Sequence, residues 1–399
     1  MKILVVCQYY YPEPFRIPDI CQAMAAQGHS VTVVTGTPNY PEGVIYPGYE
    51  KGARADEVLD GVRVHRCPLI PRKQGALYRF LNYYSFVFSS GRYLRSLKED
   101  FDVVFVNQLS PVMMAQPALS WAKRKKKKCV LYCLDLWPES LLAGGIRKDS
   151  AIYKVFLGIS RKIYRSADAL LITSMGFRDY FQDVLGIDGQ KIRWLPQYAE
   201  AMFGNVASRE KQTEGVHYLF AGNVGKTQSV ETIVEAARLV REDDCIHIHI
   251  VGGGISLDSC REQAEGLKNI TFYGRRDVSE MPAFYAMADA MLVTLVDDPV
   301  LSLTLPGKVQ SYMAAGKAVI GAINGETARL VQEADCGTCA PAEDARALAN
   351  ILKNGADHSE LLKKQGENAR RYYDTHFRKE TFIKTLLSVL QENCEAAEI

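Results

Sequence analysis

The chain has 399 residues, 47% hydrophobic and 24% charged, with ten cysteines and a formal net charge of +2. This composition excludes a mostly disordered, collagen-like or coiled-coil protein. The length exceeds the ~250–300 residues at which single cores stop growing, so two domains are expected. Lys2–Val6 reads as a first strand rather than part of a signal peptide, because Pro12 and Glu13 soon follow it. Ile17–Gln27 reads as a helix closed by Gly28, and the β-branched run Val31–Thr35 as a second strand. A turn-rich loop spans Thr37–Gly43. Further strands are expected near Val62–Arg66, Val103–Val106, Val130–Leu134 and Ala169–Thr173, with a helix over Val112–Arg124. Strands alternating with helices imply a parallel sheet covered on both faces, a Rossmann-like half.

Gln197–Gly215 is polar and reads as a linker, carrying Ser208, Arg209, Glu210, Lys211, Gln212 and Thr213. A second α/β series follows. Its expected strands are His217–Ala221, Ile246–Val251, Ile270–Tyr273, Ala290–Leu295 and Ala318–Ile320, with helices over Val230–Val240 and Val309–Ala314. Arg378–Asn393 reads as one amphipathic helix with Phe382, Leu386, Leu387 and Leu390 on one face. The expected division is residues 1–199, 200–375 and a terminal helix over 376–399. No stretch approaches the ~20 apolar residues of a membrane span, and scattered cysteines in a large chain point to reduced thiols in the cytosol.

The small net charge hides an asymmetry. Residues 1–199 hold 27 Lys and Arg against 17 Asp and Glu, and residues 200–399 hold 21 against 29. A basic half suits an anionic membrane surface or nucleic acid, or is simply a solvated face.

Several familiar patterns fail on inspection. Gly225-Lys226-Thr227 lacks the earlier glycine of a P-loop, since that position is Phe220. Gly252-Gly253-Gly254 would need a glycine where Leu257 stands. Cys336-Gly-Thr-Cys339 has no second Cys-x-x-Cys to complete a zinc site and reads as a surface turn with two small buried thiols. Asp100-Phe-Asp102 precedes a strand, the wrong end for a metal-diphosphate site, so no obligatory metal is expected. No Ser-His-Asp grouping stands out among the seven histidines, and His247 and His249 alternate within a strand.

Other patterns survive. Ligands of open α/β sheets bind at the carboxyl ends of strands. Gly222-Asn223-Val224-Gly225-Lys226 follows a strand and precedes a helix, where glycines let backbone approach an anion and Lys226 adds a charge. Leu305-Pro306-Gly307-Lys308 repeats the device. Together they can clasp a diphosphate, with Lys226, Lys308 and Arg275 or Arg276 neutralising it, and Gly253 and Gly274 are further candidate donor-site residues. Asp135, in Asp135-Leu-Trp-Pro-Glu139, closes a strand of the first half. It is either a group that orients a sugar hydroxyl or takes a proton, or an N-cap.

These loops, with Tyr9-Tyr-Tyr-Pro-Glu13, Gly28–Thr35, Pro38–Gly43, Asp135–Ser140 and Pro306–Gly316, make the chain resemble bacterial family-four retaining glycosyltransferases. The nearer resemblance is to those adding amino sugars in capsule, exopolysaccharide or O-antigen assembly. The resemblance implies an α/β GT-B fold, with two Rossmann-like domains, a deep cleft between them, and a C-terminal helix crossing back to the N-terminal domain. It also implies a nucleotide-sugar donor, expected to be UDP-linked, held by the C-terminal domain without metal or other cofactor, with Lys226 and Lys308 on the phosphates. Two features depart from the wider family, at three positions. Its Glu-x7-Glu pair falls here on Leu303 and Ser311, and the arginine of its first phosphate loop is Asn223. Gln310 or Ser311 could contact the ribose instead, and Arg16, where paired glycines often stand, could contact phosphate.

A retaining transfer of this kind needs no protein nucleophile, because the leaving diphosphate can assist the incoming hydroxyl. The acceptor is expected to be a polyprenyl-diphosphate-linked or other glycan. Lys123-Arg-Lys-Lys-Lys-Lys128, including Lys125, Lys126 and Lys127, is six consecutive cations, and Leu77–Leu97 carries Tyr83, Tyr84 and Phe86. The segment reads either as an interfacial helix docking on the inner leaflet of the cytoplasmic membrane or as a core helix. A nucleotide-sugar epimerase and a non-catalytic sugar-nucleotide-binding partner are the competing readings. No nucleic-acid-binding motif is recognised, so nucleic acid is not an expected partner.

Overall fold

The computed structural model describes residues 1–73, 75–206 and 214–395. The chain divides into two units. The first comprises residues 1–173, 177–195 and the terminal segment from residue 383; the second comprises residues 174–176 and 196–382. Residues 207–213 of the expected linker lie outside the described residues, and the described remainder of that segment belongs to the second unit.

The first unit is built on an eight-stranded sheet: β1 (Lys2–Cys7), β2 (Ser30–Gly36), β3 (Asp56–Leu59), β4 (Val62–Cys67), β5 (Val103–Gln108), β6 (Lys128–Cys133), β7 (Ala169–Ile172) and β8 (Ile192–Trp194). Their order is β3-β4-β2-β1-β5-β6-β7-β8, and every pairing is parallel except β3 with β4. Ile3, Leu4, Val5 and Val6 are wholly buried, as a central parallel strand covered on both faces must be. Its helices are α1 (Ile17–Ala26), α2 (Ala76–Ser96), α3 (Gln116–Lys125), α4 (Ala151–Arg165) and the single turn α5 (Phe177–Asp179).

The second unit has a six-stranded, fully parallel sheet: β9 (Val216–Ala221), β10 (Ile246–Val251), β11 (Ile270–Gly274), β12 (Ala290–Thr294), β13 (Ala318–Ala322) and β14 (Gly337–Ala340), in the order β11-β10-β9-β12-β13-β14. Its helices are α6 (Val230–Leu239), α7 (Leu257–Gln263), α8 (Met281–Met287), α9 (Gly307–Ala314), α10 (Glu326–Glu333), α11 (Ala345–Asp357) and α12 (Ser359–His376). Alternate residues of β9, Val216, Tyr218 and Phe220, enter one core with Ile233 of α6 and Leu352 of α11. The terminal helix α13 (Lys379–Glu395) begins in the second unit, and its residues from Ile383 onward group with the first.

Three strands were not expected. β3 is joined to β4 by Asp60-Gly61, both at positive φ (49° and 80°), a tight hairpin turn whose Asp-Gly signal is legible in the sequence. β8 is only three residues long. β14 corrects the reading of Cys336–Cys339 as a surface turn. Gly337–Ala340 pairs with β13 as an edge strand, with Cys336 buried before it and Cys339 half-buried within it. Both thiols are free, and burial pushes each up to about 12. Among the described residues, no helix is long and apolar enough to cross a membrane.

Candidate functional site

The carboxyl ends of β9, β10 and β11 are laced together by their own backbone. Gly222 N–H donates to the Val251 carbonyl (2.9 Å), Gly252 N–H to Gly274 (2.9 Å), Val224 N–H to Gly253 (2.9 Å) and Ser256 N–H to Val224 (3.0 Å). Such approach leaves no space for side chains. At Gly252, whose φ is 147°, a β-carbon would land on the Gly222 carbonyl oxygen. At Gly222, also at 147°, it would lie 2.8 Å from the ammonium of Lys308.

Lys308 sits in the first turn of α9, on the loop that follows β12. Its ammonium is enclosed, lies 3.9 Å from the centre of the Phe220 ring, and has no hydrogen-bond acceptor among the described residues. Burial drops its pKa to about 7. An enclosed cation without an acceptor among the described residues, beside a glycine loop and the open N–H groups of a helix start, suits an anion. Asn223 and Lys226 are exposed on the same loop, with the Asn223 amide donating to Gln228 (3.2 Å). Arg275 is exposed next to Gly274, its β-carbon 3.5 Å from where one on Gly253 would be. The expected clasp residues Gly222, Asn223, Lys226, Gly253, Gly274, Arg275, Pro306, Gly307 and Lys308 thus lie on four strand-end loops of one sheet. Leu305 is half-buried on the last of them.

Two residues expected at the ribose are otherwise engaged. Gln310 is 1% exposed, and its amide nitrogen, assigned from its neighbours, donates to the carbonyls of Pro306 (3.0 Å) and Gly307 (3.1 Å). It therefore holds the helix start together and is corrected as a ligand contact. Ser311 is 6% exposed, with its Oγ 3.5 Å from both the Glu200 carboxylate and the Gly307 carbonyl.

Residues 15–197 match the family model described as a glycosyl transferase 4-like domain, and residues 215–356 match glycosyl transferases group 1. Both halves of this chain are glycosyltransferase domains, 4-like and then group 1. The putative colanic acid biosynthesis glycosyl transferase WcaI of Escherichia coli (strain K12) is 26% identical over 414 residues, covering 97% of this chain and 99% of that protein. Among solved structures, sucrose-phosphate synthase from Thermosynechococcus elongatus matches with a TM-score of 0.75 and 16% identity, covering 99% of this chain and 100% of that one. Anabaena Alr3699/HepE, solved in complex with UDP, matches with a TM-score of 0.70 and 14% identity, covering 98% and 100%. These likenesses establish the fold, which is GT-B.

In the first unit of this glycosyltransferase, a second cluster gathers at the carboxyl edge of β1, β2 and β6. Its hub is Glu13, quoted in the sequence only as part of a motif. The buried Glu13 carboxylate accepts the N–H groups of Asn39 (2.8 Å), Tyr40 (2.8 Å) and Tyr10 (3.2 Å), yet burial outweighs these bonds and raises it to about 7. Asn39 in turn accepts from Arg72 N–H (2.8 Å), and the Arg72 guanidinium lies over the rings of Tyr40 (5.4 Å) and Tyr83 (5.8 Å). Asp135 accepts from Ser110 N–H (3.2 Å), so it ties β6 to the loop after β5 and does not cap a helix. Burial pushes its carboxyl upward against the opposing Ser110 bonds and Arg72 charge. Arg16 is half-buried at the start of α1, in this unit and not on the loops of the second.

The expected membrane face needs correction. Phe86 is wholly buried, so it is core, while Tyr83 and Tyr84 are half-buried. Leu77, Tyr78 and Phe80, in the first turns of α2, are 67%, 40% and 50% exposed. The cation run is the junction of α3 and β6. Lys125 lies 5.9 Å from the Trp121 ring, Lys126 adopts the left-handed C-cap conformation, and Lys127 pairs with Asp100 (3.4 Å). Arg124 donates to the Leu94 carbonyl (2.8 Å), which puts the run at the far end of α2. The 21 residues of α2 span about 30 Å, so its apolar first turns and the cation run lie at opposite ends, with Phe88, 70% exposed, between them along the helix.

The paired histidines are structural. His217 Nδ1 meets His249 Nε2 at 2.9 Å, and His249 Nδ1 meets the Tyr273 hydroxyl at 3.0 Å, a chain across β9, β10 and β11. Burial, then the neighbouring imidazoles, lowers His249 to about 4.

Proposed function

We propose that this glycosyltransferase moves a sugar from a UDP-sugar, of N-acetylamino type, to a glycan or polyprenyl-diphosphate-linked acceptor in cell-surface polysaccharide assembly, with retention at the anomeric carbon. The observation that carries the reading is the enclosed Lys308 ammonium, without an acceptor, beside Gly222. Support comes from relatives: WcaI, a putative colanic acid biosynthesis glycosyl transferase, and an O-antigen chain mannosyltransferase of Escherichia coli that is 20% identical over 98% of this chain. The UDP complex of Alr3699/HepE suggests the base.

In the proposed reaction the sugar–phosphate bond breaks as the acceptor hydroxyl attacks the same face, and its proton passes to the departing diphosphate. Lys308 and Lys226 hold the developing negative charge, and the start of α9 adds its dipole. Asp135 orients the acceptor hydroxyl. Because the protein brings its own cations, donor binding should survive chelation of divalent metal. The exposed Leu77, Tyr78 and Phe80, rather than the lysine run, would touch the inner membrane leaflet.

The test is release of UDP from UDP-amino-sugars, with and without lipid-linked acceptor and with and without EDTA. Acceptor-dependent release that persists in EDTA supports transfer. Isomerisation of the sugar without acceptor, or binding without turnover, overturns it in favour of an epimerase or a non-catalytic partner. Flotation with anionic liposomes tests the surface, and loss of binding on Phe80→Ser but not on Lys125→Ser is expected.

A further inference from the structure

We propose that Glu200 is a binding residue for the ribose of the donor, supplying from outside α9 the carboxylate that α9 itself lacks; this rests on the nucleotide-sugar reading above. The Glu200 carboxylate is exposed, and its Oε2 lies 3.5 Å from Ser311 Oγ. The same hydroxyl lies 3.5 Å from the Gly307 carbonyl, in the first turn of α9, which carries the Lys308 ammonium. Ser311, which that carboxylate approaches, follows Lys308 by one turn of α9, about 5 Å along the helix axis. In a nucleotide the vicinal hydroxyls of the ribose lie at about that remove from the phosphates. They are donors and need an acceptor, and an acidic side chain at the end of a strand–helix crossover meets that need in dinucleotide-binding sheets.

The segment that bears Glu200 is anchored along α9 in two ways. The Arg370 guanidinium donates to both the Gly204 carbonyl (2.6 Å) and the Ala314 carbonyl (3.0 Å), so one side chain ties residues 201–205 to the far end of the helix. Phe203 stacks on Tyr285 with ring centres 4.7 Å apart, and Tyr285 packs edge-on against Tyr312 of α9 at 5.6 Å. Glu200 thus has a fixed position relative to Ser311 although the two are 111 residues apart in sequence. A glutamate at 311 would bring its own carboxylate into this space and meet Glu200, and serine leaves room for it.

The experiment is calorimetric titration of UDP, 2′-deoxy-UDP and 2′,3′-dideoxy-UDP into the full chain, the E200Q and E200A variants and the E200A/S311E double variant, with melting curves for each. The wild-type chain should prefer UDP over the dideoxy analogue by about 10- to 100-fold, the range of hydrogen bonds to a charged acceptor. E200A should lose that preference while binding the dideoxy analogue as the wild type does, E200Q should retain part of it, and the double variant should regain it. A preference that survives E200A, or a wild-type chain that binds all three alike, overturns the assignment and leaves the donor reading standing. A wild-type chain that binds none of them overturns the donor reading and this inference with it.

Discussion

Lys308 and Gly222 depend on each other: the space a β-carbon on Gly222 would need lies 2.8 Å from the Lys308 ammonium, so the missing side chain is where the cation sits. The cation is enclosed over Phe220 with no acceptor, an arrangement that disfavours the apo protein and favours any anion that enters.

Lys308→Met should therefore split stability from binding. Removing an enclosed, uncompensated charge should raise apo stability at neutral pH by about 1–3 kcal/mol, while UDP affinity falls about 100-fold or more. Chemical denaturation and calorimetry on one preparation measure both.

Affinity for UDP should weaken above neutral pH. The apo ammonium titrates at about 7, and a bound diphosphate favours its charged form, so binding above that pH takes up a proton. Between pH 7 and 8.5 the dissociation constant should rise about tenfold. In Lys308→Arg, whose guanidinium stays charged, the profile should be flat. A steep profile in the arginine variant would assign the pH dependence elsewhere.

Gly222→Ala and Gly252→Ala start from the same φ of 147°, so the backbone strain of the two changes is matched. They differ in what the methyl group meets. At 222 it meets the far end of a flexible lysine, and at 252 the backbone carbonyl of Gly222. Gly222→Ala should fold and lose donor binding, whereas Gly252→Ala should lose about 3 kcal/mol or more of stability. Melting curves beside UDP titrations separate the two.

Glu13→Ala strips acceptors from three backbone N–H groups in the first unit. A cost of about 3 kcal/mol is expected, with UDP binding by the second unit unchanged where the protein remains folded. Loss of less than about 1 kcal/mol would mean that solvent replaces the carboxylate.

His249 should make the second unit acid-labile. Its pKa falls from the usual 6.5 to about 4 on folding, so the unfolded chain binds the proton first. Stability should be full above pH 6.5, decline as the pH falls towards 4, and level off below that. His249→Asn should flatten the decline, as read from denaturation midpoints across that range.

What the sequence disclosed follows from how local each signal is. β1 is a run of aliphatic and β-branched residues and β10 alternates isoleucine with histidine, and their neighbours in sequence suffice to identify them. The glycine loops and Lys308 were legible because a strand-end glycine before a helix has few other uses. β3 escaped because Asp56 and Glu57 do not look like a strand, although Asp60-Gly61 announced the turn. Phe86 and Tyr83 share one helix, and only packing tells the buried ring from the half-buried one. The lysine run read as a patch because sequence shows adjacency, and the α3–β6 turn sends Lys125 over Trp121 and Lys127 to Asp100. Contacts between distant positions, such as Glu200 with Ser311 or Glu13 with Asn39, leave no local trace.

The backbone lacing of the loops after β9, β10 and β11 bears on how such a site can be inherited. Each loop is the mould of the next: Val224 bonds to Gly253 and to Ser256, and Gly252 to Gly274. Substitutions within this triplet will be strongly non-additive, since a change tolerable in one loop alters the bonding partners of another. Chimeras between related enzymes should keep donor recognition only when residues 222–226, 252–256 and 274–275 are transplanted as a single cassette.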